Sequence, residues 1–285
     1  MRELRLGDGP LEAVLLPEAG ARLHRLRAFG QDLLRTPADP REHLRDPFFW
    51  GAYVMAPWCN RLPARPMRVG EHQIDLRANF ADGSAIHGQV YARSWTLEPD
   101  GTTLRTSGGG DGWPWGYEVR LHPSVSGADL RLRLALRNAS DAPMPAGLGI
   151  HPWWRRPVQV SVDGDRVYAT NLDSPAAATP VEGSFDLRAP AEPRLGLDAT
   201  WAGIGADGVR LTWPELGVAA AITLSASANH VAVAAPRDPD ATAVEVQSHA
   251  PDGLRRLLNG EPGALDLLPP GAELAIEMTI TVSRS

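Results

Sequence analysis

The pattern that most constrains this chain is an alternation of apolar and polar residues with a period of two. It is clearest at Leu130, Leu132, Leu134 and Leu136, which alternate with Arg131, Arg133 and Ala135. Side chains two residues apart lie on the same face of a β-strand, so this stretch predicts a strand with one buried and one polar face. The same alternation recurs near the C-terminus at Leu274, Ile276, Met278, Ile280 and Val282.

Shorter runs along the chain have the composition of strands: 11–16, 23–29, 73–76, 95–97, 117–121, 158–162, 209–213, 219–225, 231–235 and 243–247. The 28 glycines and 26 prolines are scattered between these runs, which is typical of many short elements joined by turns. Because helical periodicity is weak between the runs, they predict an all-β chain folded as a large antiparallel sandwich or a barrel.

Turn signals separate the predicted strands at Pro99-Asp100-Gly101, Ser126-Gly127-Ala128-Asp129, Asp163-Gly164-Asp165 and Pro269-Pro270-Gly271. One short helix is predicted over residues 252–258, ended by Asn259-Gly260, and a further turn over 37–46. The most irregular stretch, 169–199, has the length of a lid or a binding loop. No linker-like change in composition divides the chain, so residues 1–285 are predicted to form a single domain.

The charged residues and the single cysteine limit the chemistry and the partners. All 28 basic residues are Arg, and the lack of Lys excludes a lysine Schiff base and a P-loop lysine. The formal net charge is −6 and the Arg residues form no basic stripe, so nucleic acid is not an expected partner. Cys59 stands alone, which excludes an intramolecular disulfide and a cysteine metal cluster. A neutral or weakly polar small molecule is the expected ligand.

The sequence also predicts where the protein resides. No apolar run approaches the ~18 residues that a membrane-spanning helix needs, and the first residues lack the apolar segment of a secretory signal. We therefore expect a cytoplasmic protein without membrane association. A monomer and a homodimer that hides edge strands both remain open.

Three residues carry the strongest indication of chemistry: His87, His151 and Glu245. His151 follows the glycine-rich segment 147–149 and precedes Pro152-Trp153-Trp154, a context in which the backbone can approach a ligand and indole rings can stack on a sugar. Two imidazoles and a carboxylate can donate and accept protons near neutral pH. The alternatives are a structural His151, a loop His87 without a role and a solvent-facing Glu245.

Two further positions are candidates for ligand binding. Asn60-Arg61 ends an apolar run and offers donors to a hydroxyl or a carboxylate, although a surface ion pair is an equal alternative for Arg61. Asp198 is a candidate cap of a turn. The other histidines (His24, His43, His72, His122, His230 and His249) lie in contexts that indicate surface or undistinguished positions.

A metal site is not expected from the spacing of the three principal residues. His87, His151 and Glu245 lie 64 and 94 residues apart, whereas histidines that share a metal on one element are typically two or four residues apart. We therefore expect no metal, and no other cofactor is expected either.

Seven segments in a fixed order resemble the aldose 1-epimerase family, whose fold is called galactose mutarotase-like. They are the opening segment 16–21, Pro57-Trp58-Cys59-Asn60-Arg61-Leu62, Asn79 with Ile86-His87-Gly88, Trp113-Pro114-Trp115-Gly116-Tyr117, the segment 144–153 with His151, the segment 197–203 with Asp198, and Glu245 with Leu268-Pro269-Pro270-Gly271. The resemblance covers nearly the whole chain.

This resemblance implies a galactose mutarotase-like supersandwich and the interconversion of the α- and β-anomers of a free aldose. By the same analogy, Glu245 is the general base at the C1 hydroxyl and His151 is the general acid at the ring oxygen. His87, Asn60, Arg61 and Asp198 would bind the ring oxygen and hydroxyls, and Trp153 would supply a stacking face.

Three alternatives remain. A hexose-6-phosphate mutarotase would need converging arginines, for which Arg61, Arg65, Arg68 and Arg93 are the candidates. A sugar-binding protein without turnover is compatible with the same fold. A metal-dependent sugar isomerase or epimerase is the third.

Overall fold

The computed structural model describes residues 1–169 and 177–285, with the backbone alone at residues 206 and 207. The described residues form strands β1 (Leu4–Asp8), β2 (Leu11–Leu16), β3 (Arg22–Ala28), β4 (Gln31–Asp32), β5 (Ala52–Met55), β6 (Arg61–Pro63), β7 (Met67–Val69), β8 (His72–Ile74), β9 (Ser84–Ile86), β10 (Thr96–Leu97), β11 (Leu104–Gly110), β12 (Trp113–Ser126), β13 (Asp129–Asn138), β14 (Met144–Ala146), β15 (Gly149–Arg155), β16 (Gln159–Ala169), β17 (Thr179–Pro180), β18 (Leu197–Trp213), β19 (Val218–Leu224), β20 (His230–Ala235), β21 (Ala241–Gln247), β22 (Asp266–Leu268) and β23 (Glu273–Arg284). The helices are α1 (Glu42–Arg45) and α2 (Gly253–Asn259). All pairings between these strands are antiparallel, which confirms the predicted all-β antiparallel fold.

The sheet is folded into two layers that share the long strand β18. One layer has the order β1–β2–β3–β5–β15–β21–β20–β18. The other has the order β10–β11–β12–β13–β23–β19–β18. The first half of β18 pairs with β20 and its second half with β19, so this strand leads the chain from one layer into the other. The result is the predicted large β-sandwich.

Alternation along the long strands builds the core between the layers. Leu130, Leu132, Leu134 and Leu136 of β13 are buried, and so are Leu274, Ile276, Met278, Ile280 and Val282 of β23. The Arg side chains between the leucines of β13 are exposed. Strands β13 and β23 pair in register, so the leucine face of one strand continues the aliphatic face of the other. The period-two prediction is confirmed for both strands.

Most of the local predictions are confirmed. Each of the ten shorter predicted runs overlaps a strand. Ser126 and Asp129 face each other across a two-residue hairpin turn, as the turn signal predicts. Helix α2 ends at Asn259, and Gly260 adopts the left-handed conformation (φ 67°) that a helix C-terminus commonly requires.

The turn predicted at Asp163-Gly164-Asp165 is wrong, because these residues lie inside β16. The register of β16 with β18 shifts between Val162 and Gly164, so the segment is a bulge in a continuous strand. A Cβ atom on Gly164 would lie 3.1 Å from the side chain of Trp201. The glycine therefore serves a close approach to that tryptophan rather than a reversal of the chain.

The irregular stretch predicted over 169–199 is only partly described. Strand β16 ends at Ala169, β18 begins at Leu197, and the short strand β17 lies between them. Residues 170–176 lie outside the described residues, and the interpretation of the stretch as a lid or a binding loop remains a prediction. Neither α-helix of the described residues is long and apolar enough to cross a membrane.

Candidate active site

A cavity of about 300 Å³ lies on the face of the first layer that points away from the core. All seven residues proposed from the sequence line it: Asn60, Arg61, His87, His151, Trp153, Asp198 and Glu245. These residues are spread over 186 positions of the sequence. The strand order of this layer brings His151, Trp153, Asp198 and Glu245 together, and the separate β6–β9 pair supplies Arg61 with the adjoining Asn60 and His87. A volume near 300 Å³ is at the lower end of the range for small-molecule sites, which suits a ligand of monosaccharide size.

Strand register explains how the floor of the cavity forms. His151 of β15 lies opposite Tyr53 of β5, and Glu245 of β21 lies opposite Ala232 of β20. Strands β15 and β21 are themselves paired, so Tyr53, His151, Glu245 and Ala232 form one row across four strands. The small Ala232 side chain leaves open space beside the Glu245 carboxylate.

Glu245 and His151 are in direct contact. Nε2 of His151 lies 3.0 Å from Oε1 of Glu245, and the two side chains are 5% and 7% exposed. Nε2 of Gln247 donates a hydrogen bond of 2.7 Å to Oε2 of the same carboxylate. The alternative of a solvent-facing Glu245 is therefore wrong. A carboxylate and an imidazole in this geometry can accept a proton from one polar atom and donate a proton to another.

The His151 ring is held between other rings. Tyr53 stacks on it with a centroid distance of 4.4 Å and an interplanar angle of 23°, and His87 meets it edge-on at 5.1 Å. Trp153 lies 5.0 Å away on the same strand. Nδ1 of His151 is buried and has no hydrogen-bond partner among the described residues. Nε2 is therefore the ring nitrogen that can make polar contacts in the cavity.

His87 is a neutral hydrogen-bond donor. Its Nδ1 accepts a hydrogen bond of 3.2 Å from the backbone N–H of Asn60, which assigns the ring proton to Nε2. Burial, followed by the proximity of His151 and Arg61, holds the pKa of His87 well below its usual value of 6.5. The backbone of His87 is left-handed (φ 61°), an uncommon conformation for a side-chain-bearing residue that often marks functional sites.

The Asn60-Arg61 turn forms the wall next to His87. Asn60 is also left-handed (φ 58°), and its Oδ1 accepts hydrogen bonds from the backbone N–H of Arg61 at 2.9 Å and from Nη1 of Arg61 at 3.2 Å. Nε of Arg61 lies 2.7 Å from Asp82, and Nη1 lies 3.9 Å from Asp198. Asp82 was missed by the sequence reasoning because no motif marks it.

A second buried histidine supports the same turn. Nε2 of His249 accepts a hydrogen bond of 2.9 Å from the backbone N–H of Cys59. The N–H groups of Cys59, Asn60 and Arg61 thus bind the side chains of His249, His87 and Asn60 in succession. This arrangement holds the turn rigidly from two sides of the fold.

The sequence prediction of surface or undistinguished positions is wrong for four of the remaining histidines: His24, His43, His230 and His249 are all buried. His24 and His43 bind each other through Nδ1 and Nε2 at 2.9 Å. Their local sequences show no motif because their neighbours come from distant segments.

Aromatic side chains form a large part of the remaining cavity wall. Phe48, Phe49 and Phe80 line it together with Trp153, whose Nε1 donates to the backbone oxygen of Phe48. The sequence did not identify Phe48, Phe49, Phe80 or Tyr53 as candidates, although the run Phe48-Phe49-Trp50 is a visible signal. Apolar rings beside hydrogen-bonding groups are the combination that a sugar ring requires.

Of the four arginines considered for phosphate binding, Arg61 lines the cavity, whereas Arg65, Arg68 and Arg93 are not among its lining residues. Arg93 forms an ion pair with Asp111 at 3.3 Å. Within the described residues, no group of three or more His, Cys, Asp or Glu side chains is placed to hold a metal ion.

Comparisons with known proteins identify the family. The family model of aldose 1-epimerase matches residues 2–279. Among solved structures, a galactose mutarotase-like protein from Clostridium acetobutylicum has 16% identity and a TM-score of 0.85, with 99% of this chain and 95% of that chain covered. A candidate aldose 1-epimerase from Escherichia coli K12 has 19% identity and a TM-score of 0.84, with coverage of 100% and 99%.

A galactose 1-epimerase from Lactobacillus acidophilus NCFM has 15% identity and a TM-score of 0.77, with coverage of 98% and 93%. At such identities the structural likeness establishes the shared galactose mutarotase-like fold. No curated protein sequence matches this chain. The family match over nearly the whole length decides the assignment: this chain belongs to the aldose 1-epimerase family.

Proposed function

We propose that the protein is an aldose 1-epimerase that interconverts the α- and β-anomers of a free aldose. The observation that carries the proposal is the contact of 3.0 Å between His151 Nε2 and Glu245 Oε1 at the floor of a cavity of monosaccharide size. Anomer exchange needs one base and one acid within hydrogen-bond reach of adjacent sugar oxygens, and no electron transfer.

The proposed reaction begins at Oε1 of Glu245, because Oε2 is engaged by Gln247, and a bound sugar would replace the contact between Oε1 and Nε2 of His151 with contacts to its own oxygens. Oε1 takes the proton of the C1 hydroxyl, the C1–O1 bond becomes a carbonyl, and the bond between C1 and the ring oxygen breaks. The ring oxygen receives a proton from Nε2 of His151. Rotation about the C1–C2 bond and reclosure with both proton transfers reversed give the other anomer.

The other residues are proposed to hold the sugar. Nε2–H of His87 and the guanidinium of Arg61 donate to sugar oxygens, and Asp198 accepts from a hydroxyl. The Trp153 ring offers a face to the sugar C–H groups. The site residues and their roles are proposals that rest on their shared position in one cavity.

A neutral sugar is the favoured substrate. Among the described residues that line the cavity, Arg61 is the one arginine, and it is already paired with Asp82. Asp198 and Glu245 add negative charge to the same cavity. A phosphate dianion would meet more negative than positive charge here, so a hexose 6-phosphate is the weaker alternative.

Polarimetry of freshly dissolved α-D-glucose and α-D-galactose tests the proposal. We expect the wild type to accelerate mutarotation and Glu245→Gln to lose the acceleration while still binding sugar. Glu277→Gln, a change of the same kind on the polar face of β23, is the matched control and should retain full activity. Full activity in Glu245→Gln would refute the assignment of Glu245 as the base. If the wild type binds sugar without accelerating mutarotation, the result would favour a binding protein.

A further inference from the structure

Arg22 is a buried cation outside the cavity, directly after the opening segment 16–21. Its side chain is 0% exposed, and among the described residues no carboxylate forms an ion pair with it. Burial lowers the pKa of Arg22 to about 10, so the guanidinium stays charged near neutral pH. A buried charge without an ionic partner is costly, so its hydrogen bonds must compensate.

The guanidinium binds backbone carbonyls from two segments that meet behind the cavity wall. Nη1 donates to Trp50 at 2.9 Å, and Nη2 donates to Pro47 at 2.7 Å and to Tyr91 at 3.1 Å. The opening turn itself touches the second segment, because a Cβ atom on Gly20 would lie 1.9 Å from the Tyr91 oxygen. Arg22 therefore joins the 47–50 segment to the backbone at Tyr91.

The joined segments carry the aromatic wall of the cavity. Phe48 and Phe49 lie between the two carbonyls of the 47–50 segment that Arg22 holds, and both line the cavity. The Phe48 ring packs on the Tyr91 ring at 4.8 Å, and the Phe48 oxygen accepts the Trp153 indole N–H.

A second path leads from Arg22 to the proposed acid. Its Cζ lies 4.8 Å from the centroid of the Tyr53 ring, and Tyr53 stacks on His151 at 4.4 Å. The guanidinium thus lies behind both the wall and the ring that orients His151.

We propose that Arg22 is a positioning residue that holds the aromatic wall of the sugar cavity through the backbone carbonyls of Pro47, Trp50 and Tyr91. The inference rests on the proposed function. The planar guanidinium presents several donors in fixed directions, which matches carbonyls that converge from separate segments. A lysine keeps the charge but offers a single ammonium, so it cannot reach all of these carbonyls in the same geometry.

Arg22→Lys tests the inference through the split between KM and kcat. The wall contacts the sugar in both the ground state and the transition state, so its loss should act mainly on KM. We expect KM to rise about tenfold, which corresponds to roughly 1.4 kcal/mol of lost binding free energy. The value of kcat should change less than about threefold. An unchanged KM in a folded Arg22→Lys protein would overturn the inference.

Arg256→Lys is the matched control. Arg256 is 3% exposed, its Cζ lies 4.7 Å from the Tyr168 ring, and its Nε donates to the Pro251 carbonyl at 2.8 Å. Neither Arg256 nor Tyr168 lines the cavity. The control should lose stability as Arg22→Lys does but keep the wild-type KM. An equal rise of KM in both variants would identify a general effect of destabilisation and refute positioning by Arg22.

Phe48→Ala keeps the inference testable if Arg22→Lys does not fold. This variant leaves Arg22 and its carbonyl partners in place but removes a ring that they are proposed to position. KM should rise as in Arg22→Lys, and an unchanged KM would show that the wall does not bind sugar, which overturns the role of Arg22. If the wild type itself does not accelerate mutarotation, the proposed function fails and the inference falls with it; if only the KM predictions fail, the function stands without it.

Discussion

Two regions of the antiparallel sheet differ in where their polar side chains lie. One region contains the long strands β13 and β23, and the other contains the strands around the cavity. In β13 the leucines are buried and the arginines between them are exposed, with Arg133 3.3 Å from Glu273 on the neighbouring strand. In β21 all seven residues are buried, including Glu245 and Gln247. One region separates polar from apolar groups, whereas the other buries both.

This difference separates the region that stabilises the fold from the region that forms the candidate site. The long strands follow the local rules of strand patterning, so they stabilise the fold through apolar burial. The cavity region breaks those rules with a buried imidazole–carboxylate pair and with left-handed backbone at Asn60 and His87. Such departures are costly and persist where the surrounding structure holds them and function uses them.

His151→Gln should produce the largest effect and should sharpen the comparison. Loss of a general acid typically lowers a rate by about 10²–10⁴-fold, so we expect kcat to fall in this range. The free energy of unfolding should fall by less than the about 2–5 kcal/mol of a core truncation, because the glutamine amide can donate to Glu245 in place of Nε2 of His151. Polarimetry and urea unfolding of the same preparation give both quantities. A loss of stability with retained kcat would contradict the proposed role of His151.

Leu134→Ala should show the opposite behaviour. Leu134 is 0% exposed in the core between the layers, and removal of such a side chain costs about 2–5 kcal/mol of the free energy of unfolding. Provided that the variant is assayed where it is folded, kcat/KM should stay at the wild-type value. A large drop in kcat/KM would break the separation between a stabilising and a functional region.

Acid should destabilise the protein through its buried histidines. Burial lowers the pKa of His249 to about 4 and of His230 to about 3, from the ordinary 6.5. Below about pH 6.5, these histidines are therefore protonated in the unfolded chain but remain neutral in the folded chain. This contribution to stability is fully present above pH 6.5 and is lost as the pH falls towards 4 and then 3, by up to about 1.4 kcal/mol per pH unit for each histidine.

Urea unfolding at pH 7.5, 6 and 5 measures this dependence. His249→Gln should make the free energy of unfolding less dependent on pH. His122→Gln, at an exposed histidine of β12, is the control and should leave the dependence unchanged. Equal effects of the two variants would contradict the assignment of acid sensitivity to the buried histidines.

Arg133→Ala should have the smallest effect. The pair with Glu273 has half-exposed partners, and such surface pairs contribute about 0–1 kcal/mol. We expect a change of the free energy of unfolding below about 1 kcal/mol that diminishes further in 1 M salt, with unchanged kcat. A larger loss that resists salt would show that the polar face of these strands contributes more than the comparison allows.

Local sequence determined the elements of this protein. Alternating leucines predicted β13, Ser126 to Asp129 predicted a hairpin turn, and Asn259-Gly260 predicted the end of α2. These features depend on residues within a few positions of one another, whose side chains share a face or a turn whatever the rest of the chain does. Local contexts also marked the seven candidate residues, the resemblance to a family added their order and their implied roles, and they line one cavity.

Tertiary structure decided what these elements do together. His249 binds the backbone of Cys59, 190 positions away, and Arg22 binds the carbonyl of Tyr91, 69 positions away. Gly164 lies in a bulge, and Trp201 of the paired strand β18 closely approaches it. Contacts of this kind follow from strand register and from packing between distant segments, which a local pattern does not encode. The sequence by itself therefore determined the strands and named the candidate residues of the site, whereas only the folded sheet decided which side chains hold those residues in place.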